Sequence, residues 1–162
     1  MIERSLVLLK PDCVKRGLIG RVIQRFEDTG YKIIGMKMMW ADEKLTREHY
    51  ADVTKRKGEI VTQKLVNMFN DGPLIAMVLE GLHAVEVIRK MVGSTQGKEA
   101  VPGTIRGDFS TQSYSYSDEK GFAIRNLVHA SATPEEAKAE IKLWFENSEL
   151  MKPYVAVHDW HL

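Results

Sequence analysis

The residues with the clearest chemical potential lie in one short stretch, Asn126–Ser131. Its apolar centre suits the end of a buried strand. Immediately afterwards, Thr133 and Pro134 suit the N-cap and first residue of a helix, and Glu136 suits the acid of a capping box. The pattern therefore predicts His129 at a strand end, just before a helix N-terminus.

The predicted position of His129 suggests anion chemistry. Backbone N–H groups and the dipole at a helix N-terminus favour an anion in the same small space as the imidazole. A neutral imidazole can also act as a nucleophile and carry a covalent intermediate. On position alone, a histidine that only packs at a strand end is the simpler interpretation, because structural groups occupy such places too.

A second candidate, Lys10, follows the apolar run Leu6–Leu9 and precedes Pro11. The run has the length of a strand and is apolar throughout, which predicts a central strand buried on both faces. Pro11 ends the hydrogen-bond ladder, so Lys10 is predicted at the mouth of the sheet, where an ammonium group can meet phosphate. The structural alternative is a solvated lysine at a strand end.

The remaining pattern predicts the elements that position these residues. Strands are predicted at 6–9, 31–39, 74–79 and 124–128. Amphipathic helices are predicted at about 19–29, 45–53, 60–69 and 83–92, and after Thr133. A basic turn at 54–58 is predicted between two helices, and the methionines of the second strand are predicted to fill the core. This order predicts an α+β fold, a ferredoxin-like α/β sandwich with a four-stranded antiparallel sheet covered by helices.

Between Ser94 and Phe122 the regular periodicity is lost, and the segment is rich in Gly, Ser, Thr, Tyr and charge. Loops of this length in a compact domain are usually functional or mobile. The chain has no internal repeat, linker or low-complexity tract, so residues 1–162 are predicted to form one domain with an extended loop at about 110–123. A closing extended segment is predicted at 154–160.

Composition limits the classes of partner. The chain has 23 Lys and Arg against 22 Asp and Glu, so no broad field attracts nucleic acid or an anionic membrane, and any anion site must be local. The single cysteine, Cys13, excludes an internal disulfide and fits a reducing compartment. No stretch approaches the ~20 apolar residues of a membrane span, so a cytoplasmic protein is expected.

Six motifs follow one another in an order that is more specific than any one of them. They are Lys10-Pro11-Asp12, His49-Tyr50, Arg89, Gly93-Ser94-Thr95, Pro102–Phe109 and Asn126–His129. In this order, with most spacings kept over residues 4–145, the sequence resembles the nucleoside diphosphate kinase family.

The resemblance implies a ping-pong reaction. A γ-phosphoryl group passes from a nucleoside triphosphate, usually ATP, to other nucleoside diphosphates through a phosphohistidine, for which His129 matches the nucleophile. It also implies Mg²⁺ as cofactor, with no protein ligand to name, and a homo-hexamer or possibly a tetramer. Neither a membrane nor a nucleic acid is required as partner.

The resemblance also assigns residues to phosphate and to the histidine. Lys10 matches the lysine that meets the transferred phosphate, Arg89 and Arg106 match the phosphate-binding arginines, and Thr95 matches a hydroxyl that contacts phosphate.

Four further residues complete the predicted site. Tyr50 matches a tyrosine that lines the catalytic pocket, and Asn126 matches the asparagine that hydrogen-bonds the sugar and phosphate side of the nucleotide. Glu140 matches the carboxylate that orients the histidine ring, which leaves the other ring nitrogen free to attack. Ser131 matches the serine beside that carboxylate.

Among the places where the sequence departs from the family pattern, two bear on the metal and the base. Ala132 stands where the family has an aspartate, which removes a carboxylate near the metal. The segment between Phe109 and Asn126 is longer than usual, and the aromatic residue that commonly stacks on the base falls near Val61. Our hypothesis is that an aromatic residue of the insertion replaces it. The aromatic residues of the insertion are Tyr114, Tyr116 and Phe122.

Two other functions are compatible with parts of this pattern. One is a catalytically weakened nucleotide-binding domain of the same fold that serves as a regulatory or interaction module. The retained set of nucleophile, orienting acid and cations argues against it. The other is a ferredoxin-like module that binds nucleic acid, which needs an exposed basic and aromatic sheet face. The apolar runs Leu6–Leu9 and Leu74–Leu79 disfavour that function.

Overall fold

A computed structural model describes residues 1–156, which contain one four-stranded sheet. Its strands are β1 (Ile2–Leu9), β2 (Lys32–Met39), β3 (Leu74–Leu82) and β4 (Val128–Ala130). They lie in the order β2-β3-β1-β4, and every neighbouring pair is antiparallel. This is the sheet that the sequence pattern predicts. The extended segment predicted at 154–160 falls mostly outside the described residues.

Nine α-helices occur among the described residues. They are α1 (Pro11–Lys15), α2 (Ile19–Asp28), α3 (Glu43–His49), α4 (Ala51–Lys57), α5 (Glu59–Phe69), α6 (Ala84–Val92), α7 (Ile105–Phe109), α8 (Tyr114–Glu119) and α9 (Pro134–Trp144). Short 3₁₀ turns lie at Gly97–Glu99 and Asn147–Glu149. Within residues 1–156, no helix is both long and apolar enough to cross a membrane.

The central strands β1 and β3 are buried on both faces, as their uninterrupted apolar runs predict. Val7 and Leu9 of β1 belong to one core cluster with Phe26 of α2. Leu6 and Leu8 point to a second cluster on the opposite face, which contains side chains of α5 and α9. Because successive side chains of a strand alternate between faces, two helical layers can cover one sheet.

β2 forms as predicted, but the prediction of which of its side chains are buried is wrong. A β-bulge between Ile33 and Gly35 breaks the strict alternation, so Ile34 is buried whereas Met36 and Met38 are 56% and 58% exposed. A bulge shifts every later side chain to the other face. These two methionines lie on an edge strand and do not fill the core.

The predicted basic turn at 54–58 is wrong as well, because residues up to Lys57 form helix α4. The break comes at Gly58, whose φ of +81° is a conformation that glycine adopts without strain. The chain therefore passes from α4 into α5 through a single glycine.

The segment predicted to lack core elements contains α7 and α8. Each begins with a side-chain cap: Thr104 accepts a hydrogen bond from the Gly107 N–H, and Ser113 accepts one from the Tyr116 N–H. The strand predicted at 124–128 instead begins at Val128, because Leu127 has a φ of +70°, outside the extended region.

Candidate active site

A cavity of about 470 Å³ opens between α4, α5, α8 and the end of β4. Eight of the residues predicted from the sequence line it. They are Lys10, Tyr50, Val61, Arg89, Thr95, Arg106, Asn126 and His129. The two remaining predicted residues, Ser131 and Glu140, are buried and hydrogen-bonded behind His129.

His129 occupies the middle of β4 and is paired in register with Leu8 of β1. Its Nε2 lies 2.8 Å from Oε1 of Glu140 on α9. The second carboxylate oxygen accepts a 2.6 Å hydrogen bond from Ser131 Oγ, which itself accepts one from the Leu6 N–H. An ionised Glu140 therefore fixes the proton of His129 on Nε2, so Nδ1 keeps a free lone pair.

Burial keeps the imidazole of His129 neutral. It lowers the pKa of His129 to about 3, and the positive charge of Lys10 contributes in the same direction. Burial also raises the pKa of Glu140, whereas the hydrogen bond from Ser131 opposes that shift. At neutral pH the imidazole of His129 is therefore uncharged, with its one proton on Nε2.

His49 also belongs to this cluster, although its position in the sequence predicted no role for it. Its side chain is fully buried, and its ring meets that of His129 edge-on at a centroid distance of 4.4 Å. Nδ1 of His49 accepts a hydrogen bond from Trp144 Nε1 at 3.2 Å and lies 3.5 Å from Glu140 Oε1. Burial and the neighbouring His129 lower its pKa to about 3. Its only signal in the sequence is its place beside Tyr50.

Ligand atoms of His49, His129 and Glu140 lie within 4.8 Å of one another, a spacing that could hold a metal ion. His129 and Glu140 already hydrogen-bond each other in this arrangement. Lys10 is close enough to lower the pKa of both histidines, and a cation there opposes a metal ion.

Lys10 brings a buried cation to the cavity. Only 5% of the residue is exposed, and its Nζ donates to Oδ1 of Asn126. The amide nitrogen of Asn126 in turn donates to the Thr95 carbonyl at 2.8 Å. Burial lowers the pKa of Lys10 to about 8, so its charge is lost at a lower pH than that of Arg106, whose pKa is about 10.

The two arginines differ in how firmly they are held. Arg106 is 9% exposed and donates to the backbone carbonyls of Gly93, Asn126 and Val128. Burial, together with the charge of Arg89, lowers its pKa to about 10, which leaves it charged at neutral pH. Arg89 is exposed and donates to the Ala130 carbonyl at 3.3 Å. Arg106 is thus fixed in place, and Arg89 can turn towards a ligand.

A strained turn places the residues on either side of it. Leu127 is completely buried with a φ of +70°, a conformation that costs a residue with a Cβ about 1–2 kcal/mol. Its N–H donates to Asp12 Oδ2 at 2.9 Å, and its carbonyl accepts from the Lys10 N–H at 2.8 Å. These bonds fasten the turn between Asn126 and His129 to the end of β1.

The helix N-terminus after His129 is less open to an anion than predicted. Thr133 caps α9 as expected and accepts from the Glu136 N–H at 3.1 Å. The Glu136 carboxylate reaches back to the Ala132 N–H at 2.7 Å. Two of the backbone donors are already used, so the cationic side chains must carry most of the attraction for an anion.

The family model for nucleoside diphosphate kinase matches residues 3–150. The chain belongs to the nucleoside diphosphate kinase family. A nucleoside diphosphate kinase of Borreliella burgdorferi is 44% identical over 153 residues, covering 93% of this chain and 92% of that protein. One from Thermococcus kodakarensis is 46% identical over 159 residues, covering 98% and 85% of the two chains.

Two solved structures extend this similarity to the fold. The Borrelia burgdorferi kinase, described as a transition-state mimic with bound vanadate and ADP, has a TM-score of 0.94 at 42% identity and covers 99% of this chain and 96% of its own. The Halobacterium salinarum kinase in complex with CDP has a TM-score of 0.84 at 37% identity, covering 99% and 98%. The predicted ferredoxin-like fold of the family is confirmed.

Membership of the nucleoside diphosphate kinase family identifies the chain as a phosphotransferase that acts on nucleotides. The family generally uses a divalent cation. The alternative of a weakened regulatory or interaction module is not favoured.

Several residues that line the cavity were not predicted from the sequence. Lys57, Lys64 and Asp118 lie along its outer part, and Glu136 lies beside Ala132. Lys57 and Asp118 belong to helices that were predicted as loops. Lys64 belongs to a predicted helix of which only the apolar face was interpreted. Their spatial proximity depends on how α8 lies against α4 and α5, which no local pattern encodes.

Proposed function

We propose that Nδ1 of His129 attacks the γ-phosphorus of a nucleoside triphosphate, usually ATP. The Nδ1–P bond forms as the bond to the bridging oxygen breaks, and the nucleoside diphosphate leaves with that electron pair. A terminal oxygen of a second diphosphate then attacks the phosphohistidine and restores the free imidazole. The observation that carries this proposal is the 2.8 Å contact between His129 Nε2 and Glu140, which leaves Nδ1 available. Phosphorylation of His129 by ATP without an acceptor tests it.

The cations Lys10, Arg89 and Arg106 neutralise the charge of the moving phosphoryl group in this proposal. Phosphoryl transfer depends mainly on positioning and on charge stabilisation. Arg106 is supported as a rigid donor by its three carbonyl contacts, whereas Arg89 is exposed and has one long hydrogen bond. The hydroxyl of Thr95 lines the same cavity and adds a neutral donor.

The neutral residues position the ring and the nucleotide. Asn126 spans Lys10 and Thr95 and offers its amide to the sugar and phosphate side. The ring of Tyr50 packs edge-on against that of His49, with the centroids 4.6 Å apart, and Tyr50 lines the cavity together with His129. Ser131 holds the carboxylate that orients the nucleophile. Burial raises the pKa of Tyr50, so it serves as a neutral phenol.

We propose Mg²⁺ as the divalent cation. Magnesium prefers oxygen ligands and usually keeps several waters while binding substrate phosphates. Position 132 is alanine, so it offers no carboxylate. The carboxylate of Glu136 accepts a hydrogen bond from the Ala132 N–H, and Glu136 lines the cavity. Glu136 would hold the ion's water shell, and the bound ion would supply charge neutralisation between the phosphates.

The base is proposed to lie in the outer part of the cavity. Val61 lines one wall, and Tyr114 and Phe122 of the insertion line another. Tyr116 lies outside that lining and packs against Phe122 with the ring centroids 5.9 Å apart. Aromatic rings of the insertion therefore take the role of the stacking residue that is missing at Val61.

Replacing Tyr114, Tyr116 and Phe122 together by alanine is expected to weaken nucleotide binding by about tenfold, since base stacking contributes about 1–3 kcal/mol. Calorimetric titration with ADP measures it. Because the triple variant leaves the phosphate site untouched, the rate of phosphorylation at saturating ATP should change little. ADP affinity equal to that of the unaltered protein contradicts the stacking role.

The pH dependence should reflect Lys10. Its pKa is about 8, so kcat/KM for phosphorylation by ATP is expected to fall as the pH rises through 8, when the ammonium loses its proton. Rapid-quench rates between pH 6.5 and 10 measure this profile. In Lys10→Arg the side chain stays charged, so the decline should move out of that window. A profile that is flat to pH 10 in the unaltered protein rules out this assignment.

We further propose that the chain works as one nucleoside diphosphate kinase domain, assembled as a homo-hexamer or tetramer in the cytoplasm. Met36 and Met38 of the edge strand β2 and Trp40 directly after it are more than half exposed, which supports association with further copies. A single buried cysteine supports a reducing compartment.

A further inference from the structure

The outer end of the cavity carries an ion pair that the proposed catalytic residues do not use. Lys64 on α5 and Asp118 on α8 both line the cavity, and Lys64 Nζ lies 3.1 Å from Asp118 Oδ1. Their side chains are 23% and 68% exposed, so the carboxylate in particular remains open to a ligand.

Both residues adjoin the surfaces proposed to hold the base. On α5, Lys64 follows Val61 by three residues and precedes Leu65, and residues three or four apart share one face of a helix. All three line the cavity, together with Phe122 from the insertion. A nucleotide base that lies flat between these apolar side chains therefore has the ion pair at its edge.

We propose that Lys64 and Asp118 form a donor–acceptor pair that contacts the hydrogen-bonding edge of the nucleotide base. The Lys64 ammonium can only donate hydrogen bonds, and the Asp118 carboxylate can only accept them. The inference rests on the proposed function, because the phosphates must lie at His129 for the base to reach this end. Lys64 and Asp118 are thus base-contacting residues of the same site.

The chemistry of the pair suits an enzyme that accepts several bases. Adenine and cytosine present an amino donor beside a ring-nitrogen acceptor, and guanine and uracil present a carbonyl acceptor beside a ring N–H donor. Each base therefore offers one group to Lys64 and a neighbouring group to Asp118, in one order or the other. A mobile side-chain pair can meet both orders, which gives every base a polar contact without selecting one.

The ion pair is not needed to hold α8 in place. Ser117 of α8 is 1% exposed, so this side of the helix is packed against the rest of the chain. The Tyr114 N–H donates to Gln96 Oε1 at 2.9 Å, and Lys57 lies over the Tyr114 ring at 5.3 Å. Since exposed ion pairs add little to stability, removal of Asp118 should leave α8 where it is.

The test compares ADP with purine riboside diphosphate, which has the same rings but no exocyclic amino group. The protein is phosphorylated with ATP, freed of nucleotide, and discharged by each diphosphate in turn. In Asp118→Ala, the half-saturating concentration of ADP should rise about fivefold, because one hydrogen bond to a largely exposed side chain is lost. That of purine riboside diphosphate should not change, and the maximal discharge rate should be unaltered for both.

Two variants sharpen the comparison. Glu119→Ala removes the same charge from the next position of α8, where the side chain pairs with Lys120 and does not line the cavity, so it should have no effect. Asp118→Asn keeps an acceptor oxygen and should restore most of the ADP affinity. Lys64→Met removes the donor to the ring nitrogen and should weaken both diphosphates.

If Asp118→Ala lowers the affinity for both diphosphates equally, the pair only holds α8 in place. If the affinity for neither changes, the pair does not contact the base. Each result overturns the inference. Calorimetric titration of the unphosphorylated protein with the two diphosphates gives the same comparison and does not depend on phosphoryl transfer. A protein that takes no phosphoryl group from ATP therefore contradicts the proposed function alone.

Discussion

Replacing His129 with glutamine is expected to abolish phosphoryl transfer, with a fall in rate of about 10⁴-fold or more, because the variant has no nucleophile. Glutamine is similar in length and can still hydrogen-bond Glu140, which accepts from His129 Nε2 at 2.8 Å. ADP binding and the circular dichroism spectrum should therefore match those of the unaltered protein. Coupled assays with ATP and a second diphosphate measure the loss.

The control for His129→Gln is a histidine far from the cavity. His83 is exposed before α6 and has a φ of +48°, a conformation that asparagine tolerates. His83→Asn should keep full activity. Activity of His129→Gln within tenfold of the unaltered protein would mean that another group accepts the phosphoryl, and the assignment of His129 would be wrong.

Replacing Glu140 with glutamine is expected to slow phosphorylation by about 10²–10³-fold while changing nucleotide affinity little. The amide nitrogen can donate to Nε2 of His129, which drives the ring proton to Nδ1 and blocks the nucleophilic atom. Ser131 can still donate to the amide oxygen, so the local structure has the same bonds available. Single-turnover phosphorylation by ATP separates this step from binding.

Glu135→Gln is the matched control, since Glu135 is an exposed carboxylate of the same helix. It should phosphorylate at the normal rate. If Glu140→Gln lowers affinity for ADP as strongly as it lowers the rate, Glu140 acts by supporting the cavity and not by setting the ring proton.

The central part of the fold could be predicted because its signals are local. The apolar runs of β1 and β3 encode burial on both faces, and the spacing of Ile19, Val22 and Phe26 encodes α2. The errors lie where a single backbone conformation changes the outcome. The bulge after Ile33 reverses the faces of β2, and the positive φ of Leu127 delays the start of β4.

The residues of the site also fall into those that have a signal in the sequence and those that have none. Lys10, Arg106 and His129 could be assigned because their motifs occur in the family order, and the structure brings them to one cavity. His49 was not given a role, since its contact with Glu140 depends on how α3 meets α9. Lys64 and Asp118 are 54 positions apart, so only the position of α8 reveals that they form a pair.

The most direct test of phosphoryl transfer through His129 is the intact mass of the protein after incubation with Mg-ATP and no acceptor. We expect one added phosphoryl group that is acid-labile, absent from His129→Gln and removed by adding GDP. No adduct on a protein that still binds ATP would contradict it, as would an adduct that persists in His129→Gln.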